Sequence, residues 1–151
     1  MKKTDSKYIL NGLLLGACVG AGFAVFESAG YAFRNLLETS STDVMLNVTL
    51  LRGVLSLGGH VVWTAIAGAA LAATKGERPF NYSMLTSGRF LFFFAISVVL
   101  HGIWDCPLQF LGAYGKYIAL IVVAWVVTLP LISSGLKQIT RLAKQRENGI
   151  L

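Results

Sequence analysis

The sequence predicts an all-α polytopic membrane protein, a bundle of four transmembrane helices. Two observations carry this. Hydrophobic residues make up 55% of the 151-residue chain and charged residues only 13%, about half the share of an average soluble domain, and the mean hydropathy is +0.66. The apolar residues are also gathered into four long runs. Thirteen basic and seven acidic residues are too few to cover a soluble globule of this size. A soluble enzyme, a disordered chain and a collagen-like chain are excluded, and two cysteines exclude a disulfide scaffold.

The first run, residues 9–33, holds one charge, Glu27. It begins like a signal peptide, and Leu15-Gly16-Ala17-Cys18 resembles a lipoprotein cleavage box. The apolar run continues for fifteen residues past Cys18, however, where a lipoprotein turns polar. The second run, 45–74, has Arg52 and His60 as its only ionisable groups. The third, 90–104, ends near His101 and can be extended backwards over 84–87. The fourth, 117–136, has no charge and contains Pro130, a potential kink. About 20 apolar residues cross a hydrocarbon core of about 30 Å. The runs are continuous and do not alternate at period two, which argues against a membrane barrel.

Basic residues orient the bundle. Lys2, Lys3, Lys7, Lys75, Arg78, Arg89, Lys137, Arg141, Lys144 and Arg146 fall on one side, and Arg34 and Lys116 on the other. Both termini are expected to be cytoplasmic. The net charge of +6 is then a topology signal and not a nucleic-acid footprint; the lipid bilayer is the expected surrounding.

Ionisable side chains within a bilayer cost about 2.5–3.5 kcal/mol on insertion scales, so each is a functional candidate. On a helical wheel Glu27 falls between Gly16 and Gly20, on the face of Phe23 and Tyr31; Gly12, Gly16 and Gly20 form a stripe that lets a neighbouring helix approach. Cys18 lies opposite. The face of His60 carries Gly53, Ser56, Thr64 and Ala67, with Leu51, Leu55, Val62 and Ile66 expected on the lipid side. His101 and Asp105, four residues apart, share a face. At about 1.5 Å per residue, Glu27, His60 and His101 lie about 10, 12 and 8 Å from the non-cytoplasmic ends of their helices. One carboxylate and two imidazoles are therefore expected in one layer, close enough to share a water or a metal.

Such a set can activate water: Glu27 as base, and a histidine donating to the oxyanion or the leaving amine. His60, His101, Asp105 and Glu27 also suit Zn²⁺. Asp105 fits either as a ligand or as the group that orients His101. Glu27 is preferred as a base over a ligand. A Glu27–Arg52 ion pair of structural purpose is the competing reading of the carboxylate. No Gly-x-Ser-x-Gly elbow supports a serine nucleophile. An ion-conducting bundle is disfavoured by the expectation of unbroken helices and by the absence of an internal repeat.

Three blocks carry a resemblance. Gly22-Phe23 followed by Glu27 and Tyr31 is similar to the Gly-Phe-x-x-x-Glu-x-x-x-Tyr motif of the PrsW family of intramembrane proteases. Arg52, His60 eight residues on, and the small-residue run to Gly68 resemble its second block. His101-Gly102-Ile103-Trp104-Asp105 resembles its His-x-x-Trp-Asn/Asp block. The resemblance runs from about Tyr8 to Leu111. It implies a protease domain over residues 1–151 in a bacterial cell membrane, related to the CAAX prenyl-protein proteases. The implied activity cuts a membrane-anchored substrate, such as an anti-sigma factor, near the outer membrane face. It assigns Glu27, His60 and His101 to the active centre, with Asp105, Arg52 and Tyr31 in support, by a glutamic or metal-assisted mechanism. The family's Glu-Glu-x-x-Lys block, normally on an earlier helix, does not occur here; Glu38 and Glu77 are single, in expected loops. Weak cleavage by this chain alone, or a pseudo-protease acting as a regulatory or immunity-type binding protein, is the expectation that follows.

Overall fold

A computed structural model of the chain describes residues 8–107 and 112–148; the expected basic N-terminus (Lys2, Lys3, Lys7) lies outside them. Five α-helices follow one another: α1 (Ile9–Thr39), α2 (Thr42–Ser56), α3 (His60–Lys75), α4 (Gly88–Asp105) and α5 (Gly112–Glu147). A short 3-10 helix, Tyr82–Thr86, precedes α4. No strand occurs among the described residues. Four stretches are long and apolar enough to cross a membrane, with α2 and α3 counted as one.

The helices run past the apolar runs that announced them. The first extends to Thr39, so Glu38 is helical and pairs with Arg34 at 2.7 Å instead of standing in a loop. Ser40 then turns the chain at φ 51°, and the Ser41 hydroxyl accepts from Val44 N–H to start α2. Residues 84–87 do not extend α4: Met84 belongs to the 3-10 helix, and Ser87 caps α4 by accepting from Phe90 N–H. α5 continues through Pro130 to Glu147.

The second run is not one helix. It breaks at Leu57-Gly58-Gly59, contrary to the expectation of unbroken spans. Ile121 of α5 fills the space where a Gly58 side chain would project, within 2.8 Å of an added Cβ. The turn keeps its amides paired: Gly58 N–H and Gly59 N–H both donate to Leu55 O, at 3.2 and 3.1 Å. Irregular backbone at membrane depth is tolerated where protein covers it, and both glycines are buried.

Helix α3 is the centre of the bundle, with α1, α4 and α5 around it. Ile66, Ala69 and Ala70 are fully buried and Val62 is nearly so. The expected lipid-facing side of this helix, Val62 and Ile66, is thus core. The reason is the packing order: α1 covers one flank of α3, and α4 and α5 cover the others. Against α1 the contact is backbone on backbone. Gly12, Gly16 and Gly20 face the carbonyls of Gly68, Thr64 and His60, and an added Cβ would collide with each. Ser97 of α4 ties in by donating its hydroxyl to Trp63 O at 2.7 Å. Cys18, Leu14, Val19 and Phe26 look outward, as lipid-facing residues do.

Candidate functional site

The end of the bundle holding the α1–α2 turn and the C-terminus of α4 contains the polar residues. The break before His60 sets their arrangement. His60 opens α3 and sends its ring toward Glu27, two turns above Gly20 on α1. Glu27 Oε2 lies 3.0 Å from His60 Nε2, and His60 Nε2 lies 3.0 Å from His101 Nε2. One ligand atom from each of Glu27, His60 and His101 falls within 4.8 Å of the others. The three residues expected in one layer are brought together.

The supporting residues divide in two. Arg52 Nη2 donates to Glu27 Oε2 at 2.5 Å, both side chains 16% exposed, and the guanidinium lies 3.9 Å from the Tyr31 ring centroid. Arg52 Nε is buried without a partner among the described residues. The Glu27–Arg52 pair weighed from the sequence therefore exists, and the same carboxylate also serves the histidines. Asp105 sits elsewhere. Its Oδ2 is 3.1 Å from His101 Nδ1, the ring nitrogen turned away from Glu27, so it lies outside the three-residue group and orients His101. A His101 that donates Nδ1–H to Asp105 presents an unprotonated Nε2 to the cluster while neutral.

Aromatic rings wall the cluster. Trp63 packs against His60 and His101 at centroid distances of 5.0 and 5.5 Å, and Trp104 against Trp63 at 5.4 Å. Phe23 approaches His60 and His101 at 5.4 and 6.0 Å from the other side. One further residue was not found by sequence reasoning. Lys116, counted there only as a loop charge, is 4% exposed. Its Nζ donates to Trp104 O at 3.1 Å and Cys106 O at 2.6 Å, the carbonyls on either side of Asp105. A lysine beside an aromatic at a helix start was the available signal, and it reads equally as a solvated end.

A cleft of about 440 Å³ runs below the cluster, with Gly16 and Val19 of α1 on one wall, Phe90 and Phe94 of α4 on the other, and Thr64 and Gly68 of α3 as its floor. It exists because α1 and α4 both pack on α3 and have no packing face with each other. Thr64, at its upper end, donates its hydroxyl to His60 O at 2.8 Å.

These features define the class: an all-α membrane-embedded protein with a carboxylate–imidazole centre between its helices. The chain belongs to the PrsW family; the model of "PrsW family intramembrane metalloprotease" matches residues 1–132. Comparison with curated proteins and with solved structures gave no match. Membership supports intramembrane protease activity on a membrane-borne substrate and a multi-pass membrane location. The donor set fits the metal that the family's description implies: two imidazole nitrogens and one carboxylate converge, and Asp105 backs one ligand as the second partner of a metal-binding histidine commonly does.

Proposed function

We propose that this chain hydrolyses a peptide bond in a membrane-anchored protein near the outer membrane face, with Glu27, His60 and His101 as the reacting centre. The single observation that carries the reading is the convergence of these three side chains within 4.8 Å. The basic-residue asymmetry supports cytoplasmic termini and a cluster toward the outer leaflet.

In this reading water attacks the scissile carbonyl carbon and Glu27 takes its proton. His60, through Nε2–H, donates to the oxyanion that forms. The proton held by Glu27 passes to the leaving amine as the C–N bond breaks. Arg52 fixes the Glu27 carboxylate against Tyr31, and Asp105 fixes the ring of His101. Glu27, His60 and His101 would also hold a Zn²⁺, which when bound lowers the pKa of water and polarises a carbonyl.

The test is purified chain reconstituted with a single-pass peptide. Cleavage lost in Glu27→Gln supports the reading; cleavage that persists in Glu27→Gln overturns it. Elemental analysis addresses the metal: about one Zn²⁺ per chain, lost in the His60→Ala/His101→Ala double variant, supports a metal centre. A second reading has one observation in its favour. Arg52 already holds the Glu27 carboxylate at 2.5 Å, which suits a pseudo-protease whose pocket binds a membrane partner without cutting it. Tight capture of the peptide by the wild type, with no product, is its signature.

A further inference from the structure

The Glu27/His60/His101 cluster is closed on one side and open on the other. Trp63 and Trp104 are 2% and 6% exposed and seal the inner side. On the outer side His101 and Asp105 have side chains 33% and 40% exposed. Phe23, the aromatic that touches both imidazoles there, is 51% exposed. A peptide carbonyl has to come within about 3 Å of the reacting groups, and the tryptophans bar the inner route. The open route passes over Phe23, between α1 and α4, where the two helices leave α3 uncovered.

We infer that Phe23 is a substrate-contacting, specificity-determining residue: the side chain next to the scissile bond packs against its ring, opposite the histidines. The inference rests on the proteolytic reading of the cluster. Its chemistry follows from size. With the benzyl group standing over both imidazoles, the space beside it admits a small side chain and excludes a large one. The substrate class is thus a membrane-borne segment with small residues, such as Gly, Ala or Ser, at the point that unwinds. Aromatic rings dominate contacts of this kind because they bury large area at low entropic cost.

The experiment is site-specific photocrosslinking in liposomes of phosphatidylethanolamine and phosphatidylglycerol. The Glu27→Gln chain carries p-benzoylphenylalanine in place of Phe23 or, as control, Val25, which is 69% exposed and about 200° away on the helix. The probe is a biotinylated leucine–alanine transmembrane peptide with a Gly-Ser-Gly segment in its outer third. Crosslinking several-fold stronger from position 23 is expected. Equal yields, or none from position 23, overturn the inference. In the active background, Phe23→Ala should raise kcat/KM for a peptide carrying Phe in place of the central Ser relative to the parent peptide, and an unchanged ratio overturns it. Crosslinking needs no turnover, so the two failures separate. Crosslinks from position 23 without wild-type cleavage sink the protease reading alone; cleavage without those crosslinks sinks the role of Phe23 alone.

Discussion

Replacing Arg52 with Met is the most informative single perturbation of the cluster, because it tests whether Glu27 is held as a charge. Arg52 Nη2 sits 2.5 Å from Glu27 Oε2 with both side chains 16% exposed. Removing one partner of a buried pair costs about 3–5 kcal/mol, since the other charge is left behind. Two features of this site reduce that figure. The pair is not fully buried, and His60 Nε2, 3.0 Å from the same oxygen, can still donate to it, which leaves about 2–3 kcal/mol. Loss of the contact with the Tyr31 ring adds about 0.5–1 kcal/mol. Arg52→Met should therefore cost about 3 kcal/mol. In a Glu27→Gln background no carboxylate is abandoned, and the same change should cost about 1 kcal/mol. The coupling between the two positions is then about 2 kcal/mol. Reversible unfolding of the four variants in mixed micelles measures it. A coupling below about 0.5 kcal/mol would refute the argument and leave Arg52 as a packing residue.

Other outcomes follow from the packing. Gly16→Val should cost at least about 2 kcal/mol or abolish folding, because its Cβ meets the backbone of Thr64 and Ala65, whereas Gly22→Ala and Gly30→Ala, with open space around them, should fall within about 0.5 kcal/mol of wild type; thermal unfolding in detergent compares them. Lys116→Met leaves the carbonyls of Trp104 and Cys106 unpaired and should cost about 2–3 kcal/mol. It should also loosen the Asp105–His101 contact, which nitrogen NMR reads as loss of the Nδ1–H tautomer in a chain with only two histidines; an unchanged tautomer means Lys116 caps α4 and nothing more. In a chain with Cys18 and Cys106 replaced, an impermeant thiol reagent applied to intact cells should label Thr39→Cys and not Gln145→Cys. The reverse pattern inverts the orientation.

The spans and the meeting of Glu27, His60 and His101 were legible in the sequence because both follow from helical period and from counting residues to a helix end. An ionisable group in an apolar run has few places to go, and rise per residue fixes its depth. The lipid-facing side of the second run was not legible. Val62 and Ile66 look like any outward apolar pair on one wheel, and only the arrangement of α1, α4 and α5 around α3 makes them core. In a membrane, core and lipid face are equally apolar, so hydropathy does not separate them. Lys116 was missed for a related reason: one cation at a helix start reads alike whether it meets water or two carbonyls.

The break at Gly58-Gly59 was hidden by composition as well, and it does the most for the site. A continuous helix through Ser56 and His60 would keep both in one 3.6-residue spiral, with His60 N–H paired to Ser56 O. Breaking it starts a new helix at His60, and the first amides of α3 have no carbonyl one turn back within their own helix. Glu27 lies beyond that N-terminal end, where the helix dipole favours negative charge. Three contributions therefore meet at one carboxylate: the Arg52 guanidinium, the His60 ring and the positive end of α3. Restoring the spiral with Gly58→Ala/Gly59→Ala brings a Cβ against Ile121 and shifts His60 relative to Glu27. The glycine pair thereby links the path of the second span to the chemistry of the cluster, although neither glycine has a side chain to contribute.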